Sequence, residues 1–113
     1  MDGYFLRFYV HEDQRIHKTL LWEWLLQQAN RLGIGGGSAF RAMAGFGRHR
    51  VVHEDHFFEL AGTLTVEVEF IVTADEAEQL LALLRGESER VFYARVPAQF
   101  GIINPQPDEP TGR

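Results

Sequence analysis

The sequence contains no cysteine, which excludes disulfides, thiolate metal ligands and thiol nucleophiles. Proline is sparse, and Pro105, Pro107 and Pro110 fall near the C-terminus. Everything before Pro97 is therefore free of that interruption to helix or strand. No apolar run approaches the roughly 20 residues that span a bilayer. The start, Met1-Asp2-Gly3-Tyr4, lacks the basic region of a secretory leader, so the cytoplasm is the expected compartment. Acidic residues outnumber basic ones 16 to 11, for a net charge of −5. A general nucleic-acid binder would carry a basic surface instead, so no nucleic-acid partner is expected. One absence is local. Between Gly33 and His53 there is no carboxylate, although Arg41, Arg48 and Arg50 all lie there.

What is present fits one domain: 113 residues, of which 45% are hydrophobic, with nine Phe, three Tyr and two Trp. That length supports one core but not two. The globular domain is expected over residues 1–97, with a largely flexible, proline-rich extension over 98–113. Tyr4 to Val10 alternates with period two and predicts a strand. From about Ile16 to Leu32 the period becomes helical, with Leu21, Leu25, Ala29 and Leu32 on one stripe and Gly33 placed to end it. Ser38 to Ala44 reads as a short strand. A long connection follows to about Gly62, with strand character at Val51-Val52 and Phe57-Phe58. Thr63 to Val72 alternates most cleanly, with Leu64, Val66, Val68, Phe70 and Val72 sharing a face. Thr73-Ala74-Asp75-Glu76 has the form of a capping box, and Ala77, Leu80, Leu81 and Leu84 form the stripe of the helix that Gly86 closes. Arg90 to Val96 is the last strand.

The order strand, helix, strand, strand, helix, strand predicts an α+β, ferredoxin-like fold, a split βαβ arrangement with an antiparallel sheet and both helices on one face. Simple alternation assigns Phe5, Arg7, Tyr9, Arg41, Met43, Glu67, Glu69, Tyr93 and Arg95 to the helix-free face. Bulky aromatics among charges of both signs there point to a partner surface with internal ion pairs. Glu67 and Glu69 are read as ion-pair partners for Arg7, Arg41 or Arg95 rather than as an acid–base pair. Trp22 and Trp24 are read as packing residues.

Gly45-Phe46-Gly47-Arg48-His49-Arg50 has the composition of an anion cradle. Amide groups of a glycine turn form a concavity for phosphate, and arginine adds two-point donors. The P-loop pattern is absent, and a flexible loop with solvated arginines is the alternative. His49, His53 and His56, beside Glu54 and Asp55, could supply N and O ligands to zinc, but their spacing is not that of a helical metal motif. No nucleophile constellation stands out, and no enzymatic activity is expected.

The run G-I-G-G-G-S-A-F-R-A-M-A-G-F-G, followed by His53 and an alternating strand, resembles a bacterial and archaeal family, domain of unknown function one-hundred-and-ninety, whose members are similar to nitrogen-regulatory PII signalling proteins. Gly33, Ile34, Gly36, Gly37, Ser38, Arg41, Gly45, Phe46, Gly47, Val52 and His53 carry the resemblance. It implies a homotrimer with the open sheet faces packed inward, and effector clefts between subunits, as where PII proteins bind adenine nucleotides. The implied effector residues are Arg41, Gly45, Phe46, Gly47, Arg48, Arg50 and His53, with Arg85, Gly86 and Arg90 from the turn before the last strand. The long loop contains no tyrosine, so the tyrosyl modification of PII proteins has no acceptor. The expected function is regulatory binding of a small anionic effector, with an adenine nucleotide as the ligand and no certain cofactor. The alternatives are a metal-binding trimer using His49, His53 and His56, and an adaptor that docks on a membrane transporter.

Overall fold

Period-two alternation builds the sheet, and two amphipathic helices cover one side of it. The computed structural model describes residues 1–45 and 64–108. Its elements are β1 (Asp2–His11), β2 (Arg15–Ile16), β3 (Thr19–Leu20), α1 (Leu21–Arg31), β4 (Gly37–Arg41), β5 (Thr65–Val72), α2 (Ala74–Arg85) and β6 (Phe92–Gln99). The main sheet has the order β4-β5-β1-β6, and all its neighbouring pairs are antiparallel. With the small β2–β3 hairpin set aside, this is the ferredoxin-like arrangement that the sequence predicts.

The core forms where the alternating faces meet the helical stripes. Leu6, Phe8 and Val10 of β1, and Val66, Val68, Phe70 and Val72 of β5, are all buried. They join Leu21, Trp24, Leu25 and Ala29 of α1 and Ala77, Leu80, Leu81 and Leu84 of α2 in one cluster. Burying each of the larger side chains stabilises the fold by roughly 1.5–3 kcal/mol relative to exposure. The capping box is formed as predicted: Glu76 N–H donates to Thr73 Oγ1 at 3.2 Å, and Thr73 N–H donates to Glu76 Oε1 at 2.9 Å. At the end of α1, Gly33 takes a φ of 83°. Its N–H donates to Asn30 C=O at 3.1 Å, and Ile34 N–H reaches back to Ala29 C=O at 3.0 Å. This pair of bonds is the Schellman motif, and it delivers Ile34, 6% exposed, into the core.

Three local expectations are corrected. The first helix begins at Leu21, not near Ile16, because Arg15–Ile16 and Thr19–Leu20 pair as a hairpin. Its two central residues, His17 and Lys18, have φ of 48° and 66°. Positive φ at both positions suits the twist of a two-residue hairpin, but neither residue is the glycine or asparagine that announces one. The second strand stops at Arg41 rather than Ala44, and the last covers Phe92–Gln99 rather than Arg90–Val96.

The third correction concerns faces. Cross-strand partners share a face, and Arg95 pairs with Leu6 and Tyr93 with Phe8, while Arg41 pairs with Val66. All three therefore lie on the helix side, not on the open face. There the Arg95 guanidinium sits 4.2 Å over the Tyr4 ring and pairs with Glu78 of α2. The Tyr93 ring lies 6.3 Å from that of Phe8. The open face instead carries Phe40, Ile71, Phe92 and Val96 beside Phe5, Arg7, Tyr9, Glu67 and Glu69. Met43 falls beyond the end of β4 and is 92% exposed.

Gly37 faces Phe70 across the β4–β5 pair. A Cβ built there would come within 2.4 Å of the Phe70 ring, and that ring is only 2% exposed. Gly37→Ala should destabilise the protein by about 1–3 kcal/mol through overpacking, whereas Gly36→Ala, where a Cβ meets nothing within 4 Å, should change it far less; urea denaturation of both checks the contrast. Lys18→Gly removes the steric cost of a left-handed residue, about 1–2 kcal/mol, offset in part by the extra freedom of glycine in the unfolded chain. A small rise in the denaturation midpoint is the expected result.

Candidate functional site

The topology gathers the chain's polar connections at one end of the sheet. β1 and β4 end there, β5 and β6 begin there, and α2 finishes there. The segment from Glu12 to Thr19, between β1 and α1, forms the hub of that end. On one side Glu12 Oε1 lies 3.0 Å from Arg41 Nε, and Arg41 Nη2 donates to Oε2 at 3.4 Å. The same Oε2 accepts Leu64 N–H at 2.8 Å, and Glu12 N–H donates to Leu64 C=O at 2.9 Å. One carboxylate thus ties the end of β4 to the approach to β5. On the other side His17 Nε2 lies 2.8 Å from Glu87 Oε1, and Gln14 Nε2 donates to Glu89 Oε1 at 3.2 Å. These two contacts fasten the hairpin to the turn that follows α2.

Of the predicted effector residues, the structure describes Arg41, Gly45, Arg85, Gly86 and Arg90. Arg41 belongs to the Glu12 side of this end. Arg85 and Gly86 close α2, with Gly86 N–H bonded to Ala82 and Leu83 C=O at 3.2 Å each. Arg90 lies two positions before β6, with Val91 between them. Arg85, Gly86 and Arg90 are exposed. Phe46, Gly47, Arg48, Arg50 and His53, and the histidines of the metal alternative, His49, His53 and His56, lie outside the described residues, as do the strands expected at Val51-Val52 and Phe57-Phe58. Among the described residues no group of three or more His, Asp or Glu is placed to hold a metal. No helix among them is long and apolar enough to cross a membrane.

A cleft of about 390 Å³ opens beside the Glu12–Arg41 pair, lined by Glu12, Leu20, Trp22, Ala39, Arg41 and Val66. Sequence reasoning did not find it. It took Trp22 as a packing residue, and no periodicity links Glu12 to Arg41, 29 positions apart. The expected ion pairing is found in part: Arg7 Nε lies 3.5 Å from Glu67 and 3.7 Å from Glu69, while Arg41 and Arg95 take other partners.

Residues 3–93 match the model of the DUF190 family, described as uncharacterised ACR. The chain belongs to the DUF190 family. A UPF0166 protein from Aquifex aeolicus (strain VF5) is 29% identical over 82 residues, covering 73% of this chain and 78% of the relative. The family match spans the glycine–arginine run, the hub segment and the turn after α2, so the whole of this end of the sheet lies within the part shared by the family. Most of β6 and the segment after it lie beyond the match.

Two carboxylates among the described residues respond to acid, Glu12 at this end and Glu78 in the first half of α2. The N–H of Leu64 and then the Arg41 guanidinium hold the Glu12 carboxyl below its ordinary value of 4.5. Arg95 does the same for Glu78. A carboxyl whose folded value is depressed contributes stability above its unfolded value and loses it as pH falls through the folded one. Both contributions are therefore present at neutral pH and fade below about pH 4.5. Wild-type protein should lose more melting temperature between pH 6 and pH 3 than the Glu12→Gln/Glu78→Gln double variant. Parallel melting curves for the two would show that these pairs carry no acid sensitivity.

Proposed function

We propose that this DUF190 protein is a regulatory protein that assembles as a homotrimer through its open sheet face and binds an adenine nucleotide in the clefts between subunits. The observation that carries the reading is that the Arg41–Gly45 stem and the Arg85-Gly86-Arg90 turn lie at the same end of the sheet, on its two opposite edges, where a neighbouring copy could bring one against the other. The family is related to PII-like proteins, which supports a site built from these two segments. Arg48 and Arg50 follow directly on the Gly45 stem in the sequence and add to its positive charge.

The open face supports assembly. Phe40, Ile71, Phe92 and Val96 are 52%, 42%, 50% and 48% exposed in the single chain, and they surround the Arg7–Glu67–Glu69 group. Arg7 Nε is itself buried without a hydrogen bond of good geometry. Large apolar side chains around a partly desolvated charge group suit a surface covered by further copies. In such an assembly two arginine-bearing segments from neighbouring subunits would repel each other, and an anion between them relieves that repulsion. A phosphate chain does so, with each charge-assisted hydrogen bond contributing about 1.5–3 kcal/mol.

Light scattering at micromolar concentration should report three copies, and a monomer would remove the intersubunit site. Calorimetry should detect ATP, ADP or AMP binding that weakens with salt. Arg48→Ala or Arg90→Ala should reduce the affinity by roughly one to two decades, the equivalent of one lost charged hydrogen bond. Absence of heat with all three nucleotides, together with stabilisation by divalent metals, would replace this reading with the metal-binding one.

A further inference from the structure

The Arg41 guanidinium meets Glu12 with Nε and Nη2, the two-point face by which arginine also grips a phosphate. The arginine side chain is 60% exposed while that of Glu12 is 20% exposed, so the pair is open to solvent from the arginine side. The adjoining cleft combines this charge pair with an apolar lining of Leu20, Trp22, Ala39 and Val66. Its volume, about 390 Å³, falls within the size range of small-molecule sites.

Glu12 does not depend on Arg41 for its place. Its Oε2 accepts Leu64 N–H, and its own N–H holds Leu64 C=O. If Arg41 turns away, Glu12 keeps a hydrogen-bond donor and its backbone anchor. Solvent-exposed ion pairs are individually weak, so Arg41 can change partners at small cost. An incoming dianion offers it more charge than one carboxylate does.

We propose that Glu12 is an internal stand-in for the anionic group of a ligand. The ligand is a planar phosphate ester of nucleoside monophosphate size, which lays its flat part against Trp22 and Leu20 while its phosphate takes Arg41 from Glu12. The site is thereby self-inhibited, and its affinity is set by the competition between carboxylate and phosphate. The choice of an adenine nucleotide as probe rests on the effector reading above; the cleft is a separate place for it, within one chain.

The test is titration of wild-type, Glu12→Gln and Glu12→Gln/Arg41→Ala proteins with AMP, adenosine and inorganic phosphate, followed by tryptophan fluorescence and calorimetry. Glutamine keeps an oxygen for Leu64 N–H but offers Arg41 no charge. Glu12→Gln should bind AMP several-fold more tightly than wild type, up to about fivefold for an exposed pair, and Arg41→Ala should abolish that gain. Adenosine should bind all three proteins alike, and inorganic phosphate should show the same ranking as AMP with lower affinity. In the wild-type protein, the NMR signal of Arg41 Nε–H should move on adding AMP while the Leu64 amide stays in place. The proposal is overturned if Glu12→Gln binds AMP no more tightly than wild type, if the gain survives Arg41→Ala, or if the Arg41 signal does not move. The two readings fail separately: loss of nucleotide binding in Arg48→Ala and Arg90→Ala with a silent Glu12→Gln leaves only the intersubunit site, and the reverse pattern leaves only the cleft.

Discussion

The antiparallel pairing of β1 with β5 is the constraint on which the rest of the structure depends. It joins Tyr4 to Val72 at one end and His11 to Thr65 at the other, and every other element takes its position from that ladder. A slip of one residue would turn Leu6, Phe8 and Val10 to solvent and bring Arg7 under the helices, a cost far beyond the stability of a domain this size. With the register fixed, the loops at the His11–Thr65 end must lie together. The hub of Glu12, Gln14 and His17 is therefore a consequence of core burial as much as of its own polar contacts.

The parts of the fold that a reader of the sequence could see are those where burial is one-sided and complete. In β5 each inward residue from Val66 to Val72 is apolar and buried, so period and environment agree. The capping box at Thr73 was equally legible, because it is a local arrangement of two side chains within one turn. β6 was misread for a physical reason. Its inward positions Tyr93 and Arg95 lie at the margin of the helical cover, where a phenol or guanidinium can keep its polar end wet while its body rests on Phe8 or Tyr4. Its outward positions Phe92 and Val96 are apolar. Alternation there no longer distinguishes inside from outside.

The candidate site divides along the same line. The glycine–arginine run and the turn after α2 could be named because they cluster in sequence. Their common location followed from the strand order. Glu12 could not be named, since its role comes from contacts to Arg41 and Leu64 that only the folded chain creates. The β2–β3 hairpin was hidden as well. His17 and Lys18 take left-handed conformations without the residues that favour them, and the apolar spacing of Ile16 and Leu20 imitates the start of a helix.

Pro97 lies in the edge strand β6 opposite Tyr4, a position with no amide hydrogen to offer another strand. The opposite edge, β4, is only five residues long. An interrupted edge and a short one both discourage strand-by-strand growth of a sheet. What the fold leaves for association is its flat side rather than its rims. Contact through a flat side can close on itself after a fixed number of copies, whereas strand addition at an open rim leaves a new rim for the next copy. A single imino acid in the last strand thus bears on whether copies of this chain meet as a finite particle or as a fibre.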